Sequence, residues 1–141
     1  MFVRNLIAAV ALSAAAISPA ISQAAEASTA RAPCILNQYR IGSVAPYNVE
    51  QHIGKNTLQS LRGAEIYVEA QPGLTAEWLQ LNLSRHVTEM QGPATMRDCA
   101  FDLDSVHVDV SSAGSGFLVR LIAPDSKTGQ EVLRRAQLLV S

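Results

Sequence analysis

The sequence predicts an α+β domain, a three-stranded sheet with two helices on one face in the order βαββα, preceded by an N-terminal helix. Three observations lead there. Residues 64–70 alternate apolar and polar, residues 106–122 read as two further strands around a glycine-rich turn, and residues 75–90 and 132–140 carry apolar stripes at helical spacing.

The chain opens with the three-part pattern of a secretory signal. Arg4 supplies the positive start, residues 6–17 an apolar stretch, and Ser22-Gln23-Ala24 a small-x-small site, so cleavage is expected after Ala24. The apolar stretch is shorter than the roughly 20 residues that span a bilayer, and Pro19 follows it closely. A lipoprotein signal is excluded because Arg31-Ala32-Pro33 precedes Cys34, and a twin-arginine signal because Arg4 stands alone. The expected location is therefore the periplasm or the exterior, with no membrane insertion after cleavage.

Residues 25–33 are small and polar and read as a flexible lead-in, leaving residues 34–141 as one small domain. Eleven basic residues, less Arg4, against twelve acidic ones leave that mature chain at −2. Nucleic acid is not expected as a partner, because it calls for a concentrated basic surface. Cys34 and Cys99 remain as an even pair, which in an exported chain reads as a disulfide.

Between Asn48 and Gly63 the apolar residues Val49, Ile53, Leu58 and Leu61 recur near helical spacing. With Asn48 as N-cap and Gly63 as stop, they predict the N-terminal helix, at a cost of about 1 kcal/mol for Gly54 in its middle. Next, Ala64, Ile66, Val68 and Ala70 alternate with Glu65, Tyr67 and Glu69, the period of a half-buried strand, which Gln71-Pro72-Gly73 ends. Thr75 caps a helix with Glu77 in its first turn, and Leu79, Leu83, His86, Val87 and Met90 share one stripe that faces the core.

Val106, Val108 and Val110 then alternate with polar residues, and a strand over 117–122 follows the turn at 112–116, giving a hairpin. The last helix is expected to start at a Thr128-Gly129-Gln130-Glu131 capping box and to bury Val132, Leu133, Ala136, Leu139 and Val140. A right-handed crossover places the first of the two helices on one sheet face, where the terminal one joins it.

Motif by motif, chemistry is thinly represented. Lys127-Thr128-Gly129 matches one β-lactamase signature but lacks the Ser-x-x-Lys and Ser-Asp-Asn that complete it. Gly114-Ser115-Gly116 lies between two strands, whereas a phosphate cradle leads from strand to helix. Asp98, Asp102 and Asp104 lack the spacing of a calcium loop and read as a solvated acidic loop. His86, Met90 and Met96 are soft ligands of the kind that suit Cu(I) and make a metal or small-ligand carrier the alternative reading, although the stripe turns His86 and Met90 inward and a disulfide removes Cys99 as a ligand. Neither an enzyme nor a bound cofactor is expected, since no nucleophile and base stand at a meaningful spacing.

Surfaces are more informative. The sheet face away from the helices should display Glu65, Tyr67, His107 and Arg120, with Arg120 between carboxylates if its strand is central. Trp78, the only tryptophan, and Leu81 lie off the core stripe beside Arg85, as interface anchors often do. The strand-helix-strand-strand-helix order over about residues 64–140 is similar to that of the small wedge-shaped domains of secretin and type III secretion ring proteins, which pack side by side in bacterial envelopes. The resemblance is one of element order, without a residue motif. It implies a binding or assembly module whose partner is another envelope protein or a second copy of itself.

Overall fold

The computed structural model describes residues 34–91 and 98–141. The expected signal (1–24), the lead-in (25–33) and Met96 lie outside the described residues.

The expected helix over 48–63 is instead most of a long hairpin. Strand β1 (Ile41–Ile53) and strand β2 (Asn56–Val68) pair antiparallel across the two-residue turn Gly54-Lys55. Gly54, counted above as a penalised helix residue, has φ +61°, the first central position of a type II′ hairpin turn, which suits the twist of the flanking strands. The spacing of Val49, Ile53, Leu58 and Leu61 was helical by coincidence, because the turn falls between the second and third of them. In the observed register, Val49 faces Ser60 and Gln51 faces Leu58.

Gly63 does not stop a helix either. Tyr47 opposes Gly63 while Asn48 opposes Leu61, so Arg62 is the extra residue of a β-bulge. Gly63 has φ +145°, and a Cβ on it would overlap the carbonyl of Leu121 in the neighbouring strand. The residue is glycine because two backbones meet there.

The sheet accordingly has four antiparallel strands rather than three, in the order β1-β2-β4-β3, where β3 is His107–Ala113 and β4 is Gly116–Ile122. The alternation at 64–70 belongs to the inner half of β2, and β1 covers what would otherwise be its open edge. β3 and β4 are joined through Gly114 (φ +57°) and Ser115, a second turn of the same kind. Ala64, Ile66 and Val68 stand opposite Leu121, Val119 and Phe117, and all six are buried on the face that receives the helices.

Helix α1 (Ala76–Met90) begins at Thr75, whose Oγ1 accepts from the Trp78 amide at 3.2 Å. It buries Leu79, Leu83, His86, Val87 and Met90. Helix α2 (Ser126–Gln137) begins one turn earlier than expected, because Asp125 takes the cap. Its carboxylate accepts from the Thr128 amide at 2.8 Å and from the Thr128 hydroxyl at 2.9 Å. Glu131 is thereby released from any capping role and holds Arg134 and Arg135. Val132 and Ala136 are buried, whereas Val140 lies in a terminal 3-10 turn (Leu138–Val140) and is half exposed.

The loop read above as acidic and solvated also carries a plug of core. Asp98 and Asp104 are exposed, but Cys99, Ala100, Phe101 and Val106 are buried. Arg135 anchors the loop from α2 by donating to the carbonyls of Cys99 (3.1 Å) and Asp102 (3.0 Å). Cys34 and Cys99 form a disulfide with Cα atoms 5.2 Å apart, which ties the start of the domain to this plug. It closes a span of 65 residues, for which chain entropy alone gives about 4 kcal/mol as an upper figure.

Candidate functional site

Three groups of side chains offer chemistry or contact area, and each follows from the packing just described. The first surrounds the disulfide. Because α1 turns its apolar stripe toward the sheet, His86 is carried inward with it, 7% exposed, between Leu83 and Met90. Its Nε2 lies 3.6 Å from Cys99 Sγ, and its ring meets Phe101 edge-on with centroids 5.5 Å apart. Burial lowers the His86 pKa from its ordinary value, opposed by the smaller effect of the Glu89 carboxylate. The imidazole is therefore neutral at neutral pH.

The second group is the outward side of α1. Trp78 is 50% exposed and Leu81 67%. Trp78 forms one wall of a notch of about 280 Å³ with Tyr39, Gln71, Pro72, Gly73 and Leu74. Asn82, one turn along, donates to the Trp78 carbonyl at 2.8 Å and accepts from Arg85 at 2.7 Å. Arg85 also lies 4.0 Å from Glu89. The two apolar anchors thus sit beside a guanidinium hydrogen-bonded to Asn82, with the large ring lining a notch.

The third group is the open face of the sheet. Register places Glu65, Arg120 and Asp109 side by side on β2, β4 and β3. Arg120 is 3.4 Å from each carboxylate. At this exposure each pair is worth at most about 1 kcal/mol, so the ladder sets register more than it adds stability. Tyr67 lies across two glycines. A Cβ on Gly42 of β1 would come 2.9 Å from its ring, and one on Gly116 of β4 would come 2.7 Å from its hydroxyl oxygen. Its hydroxyl is 3.3 Å from Ser115 Oγ. His107 is exposed opposite Ile122, at the far end of the ladder from Tyr67.

The structure therefore separates the residues singled out in the sequence. Trp78, Leu81 and Arg85 stand on the helical side, while Glu65, Tyr67, His107 and Arg120 stand on the opposite face of the sheet. Cys34 and Cys99 come together, and His86 joins them. Met90 is buried with the core. Sequence reasoning missed the contributions of Tyr39 and Pro72 to the Trp78 notch, since residues far apart in the chain build it. It also missed the exposed outer end of the β1-β2 hairpin, where Ile53 and Leu58 are both more than half exposed.

A further cleft lies at the start of α2, lined by Leu103, Asp125, Lys127, Thr128, Gln130, Glu131 and Arg134. Its carboxylates are already engaged. The Asp125 pKa is lowered chiefly by the Thr128 backbone amide, and that of Glu131 is lowered to about 2 by hydrogen bonds from Arg134 and Arg135. Neither carboxylate is poised for proton transfer near neutral pH. Among the described residues no helix is long and apolar enough to cross a membrane. No protein family, curated protein or solved structure matches this chain at a significant level.

Proposed function

We propose that this protein is an exported, non-enzymatic binding or assembly module of the bacterial envelope, and that it holds its partner on the outward side of α1. The observation that carries the reading is the pair Trp78 and Leu81, both exposed by half or more, one helical turn apart and flanked by Arg85. A large aromatic side chain with few rotatable bonds gives contact area at little entropic cost on binding, and arginine beside it adds directional hydrogen bonds. Export is supported by the signal pattern over residues 1–24 and by the disulfide, which belongs to an oxidising compartment.

The partner is another envelope protein or a second copy of this chain. In the disulfide-bonded chain His86 and Met90 are buried, so the alternative reading, a carrier that loads its ligand at His86, Met90 and Met96, is not the one preferred here.

Size-exclusion chromatography with light scattering, together with crosslinking of the mature protein in its native envelope, tests the proposal. The wild-type chain is expected to self-associate or to give one reproducible heteromeric adduct, and Trp78→Ala with Arg85→Glu is expected to abolish it while leaving the fold intact. Association or adducts that survive both changes would refute the assignment of this face.

A further inference from the structure

The disulfide ties the start of the domain to the plug, and an imidazole nitrogen stands beside its sulfurs. The donor atoms of Cys34, His86 and Cys99 all lie within 4.8 Å of one another, although they come from three separate parts of the chain. Cys34 opens the domain, His86 projects from the C-terminal third of α1, and Cys99 sits in the buried plug before β3. Among the described residues, the polar contact of the His86 ring is directed at sulfur.

We propose that reduction of Cys34–Cys99 converts this cluster into a three-ligand site for a thiophilic d10 ion, Zn²⁺ or Cu⁺, held by the two thiolates and His86 Nε2. The distances support this. With metal–sulfur and metal–nitrogen bonds of about 2.3 and 2.05 Å, two ligands at the tetrahedral angle lie about 3.6 Å apart. His86 Nε2 and Cys99 Sγ are already 3.6 Å apart. The two sulfurs must separate to about 3.8 Å by the same reckoning. Their Cα atoms, 5.2 Å apart, allow that by side-chain rotation.

The ligand chemistry is suitable too. Two thiolates and an imidazole form a soft set that both ions accept. Met90, buried one turn beyond His86, lies on the same helical stripe.

A dithiol reductant gives two electrons and two protons to the protein disulfide and becomes a disulfide itself. The two protein thiols each release a proton on coordinating one ion. The ion then ties Cys34 to Cys99 as the covalent bond did, so the plug stays attached to the start of the domain. Because the ion binds only the reduced form, it also draws the redox equilibrium toward reduction, by about 30 mV for every tenfold excess of ion over its dissociation constant. The inference is independent of the proposed partner face, which lies on the opposite side of α1.

The test uses the mature protein reduced with dithiothreitol and desalted without oxygen. Co²⁺ serves as the spectroscopic probe for the zinc site, with Zn²⁺ as competitor, and a parallel titration uses Cu⁺ against a chelator. The reduced chain is expected to take up one equivalent, with thiolate-to-cobalt charge transfer and tetrahedral d–d bands if the ion is zinc-like, or one Cu⁺ if it is not. The oxidised chain should bind neither. His86→Ala should weaken binding by at least about tenfold, since losing even a hydrogen-bond partner of a ligand costs that much, and His107→Ala should leave it unchanged.

Circular dichroism guards against a reduced chain that has merely unfolded, since in that event the ion must restore the native spectrum. Absence of stoichiometric binding by either ion would overturn the proposal. So would binding indifferent to His86, or an unfolded reduced chain that the ion does not refold.

Discussion

Gly129 puts two established effects in opposition, and the structure decides between them. It lies in the first half of α2, where an exposed glycine would be about 1 kcal/mol worse than alanine. Gly129→Ala would thus stabilise an isolated helix. In the folded chain, however, a Cβ at this position comes 3.0 Å from the Arg62 carbonyl carbon, the Gly63 nitrogen and the Leu61 carbonyl oxygen. All three are backbone atoms of the β2 bulge, and none can rotate away. The bulge is itself pinned, because the Arg62 carbonyl accepts from the Ala123 amide at 2.7 Å and the Arg62 side chain donates to the Ala123 carbonyl at 3.0 Å. Overpacking against rigid neighbours costs about 1–3 kcal/mol. Set against a gain of about 1, the net is a loss near 1 kcal/mol, or roughly 4 °C in Tm for a chain of this size. Urea titration of wild type and variant, comparing midpoints at unchanged slope, measures it. A Gly129→Ala protein more stable than wild type would show that α2 is not seated on the bulge as described.

Three further outcomes follow from the same packing. The denatured, unreduced protein should show no free thiol, and Cys34→Ser with Cys99→Ser should lower the urea-derived stability by up to about 4 kcal/mol; titration of two thiols in the wild type would contradict the bridge. Glu131 has its folded pKa depressed from 4.5 to about 2, so its contribution is present above pH 4.5 and lost as the pH falls toward 2; stability measured against pH should fall over that window in wild type and less steeply in Glu131→Gln. Arg135→Met keeps the aliphatic stem but removes charged hydrogen bonds to two loop carbonyls, and should cost about 2 kcal/mol, with faster amide exchange in residues 98–105 than elsewhere.

How far the fold could be read in advance depends on what each residue was answering to. The α1 stripe was legible because local period and tertiary burial agree there, and Thr75 announces its start. The β3-β4 hairpin was legible because valines alternate on one side of a glycine turn. The β1-β2 hairpin was not. Its outer half projects beyond the helices and has no buried face to impose alternation on residues 48–59, so four apolar side chains at helical intervals were the only pattern left. Gly54 and Gly63 punctuate that stretch, but a turn and a bulge produce the same letter as a helix defect and a helix stop.

For α2, two caps competed within four residues. Asp125 prevailed because its carboxylate reaches the Thr128 amide directly, leaving Glu131 to its two arginines. At the candidate site, Trp78 and the Cys34–Cys99 pair could be singled out from single residues and from parity. The place of Tyr39 in the Trp78 notch, and the approach of His86 to sulfur, depend on contacts across 39 and 13 positions and leave no local mark.

Site-specific photocrosslinking in the native envelope tests whether this protein meets its partner on the outward side of α1, as proposed. A photoreactive residue at position 81 is compared with one at position 109, on the opposite face of the sheet. One discrete adduct is expected from position 81, lost when Trp78 is changed to alanine, and none from position 109. Equal labelling from both positions, or an adduct from 109 alone, would contradict it.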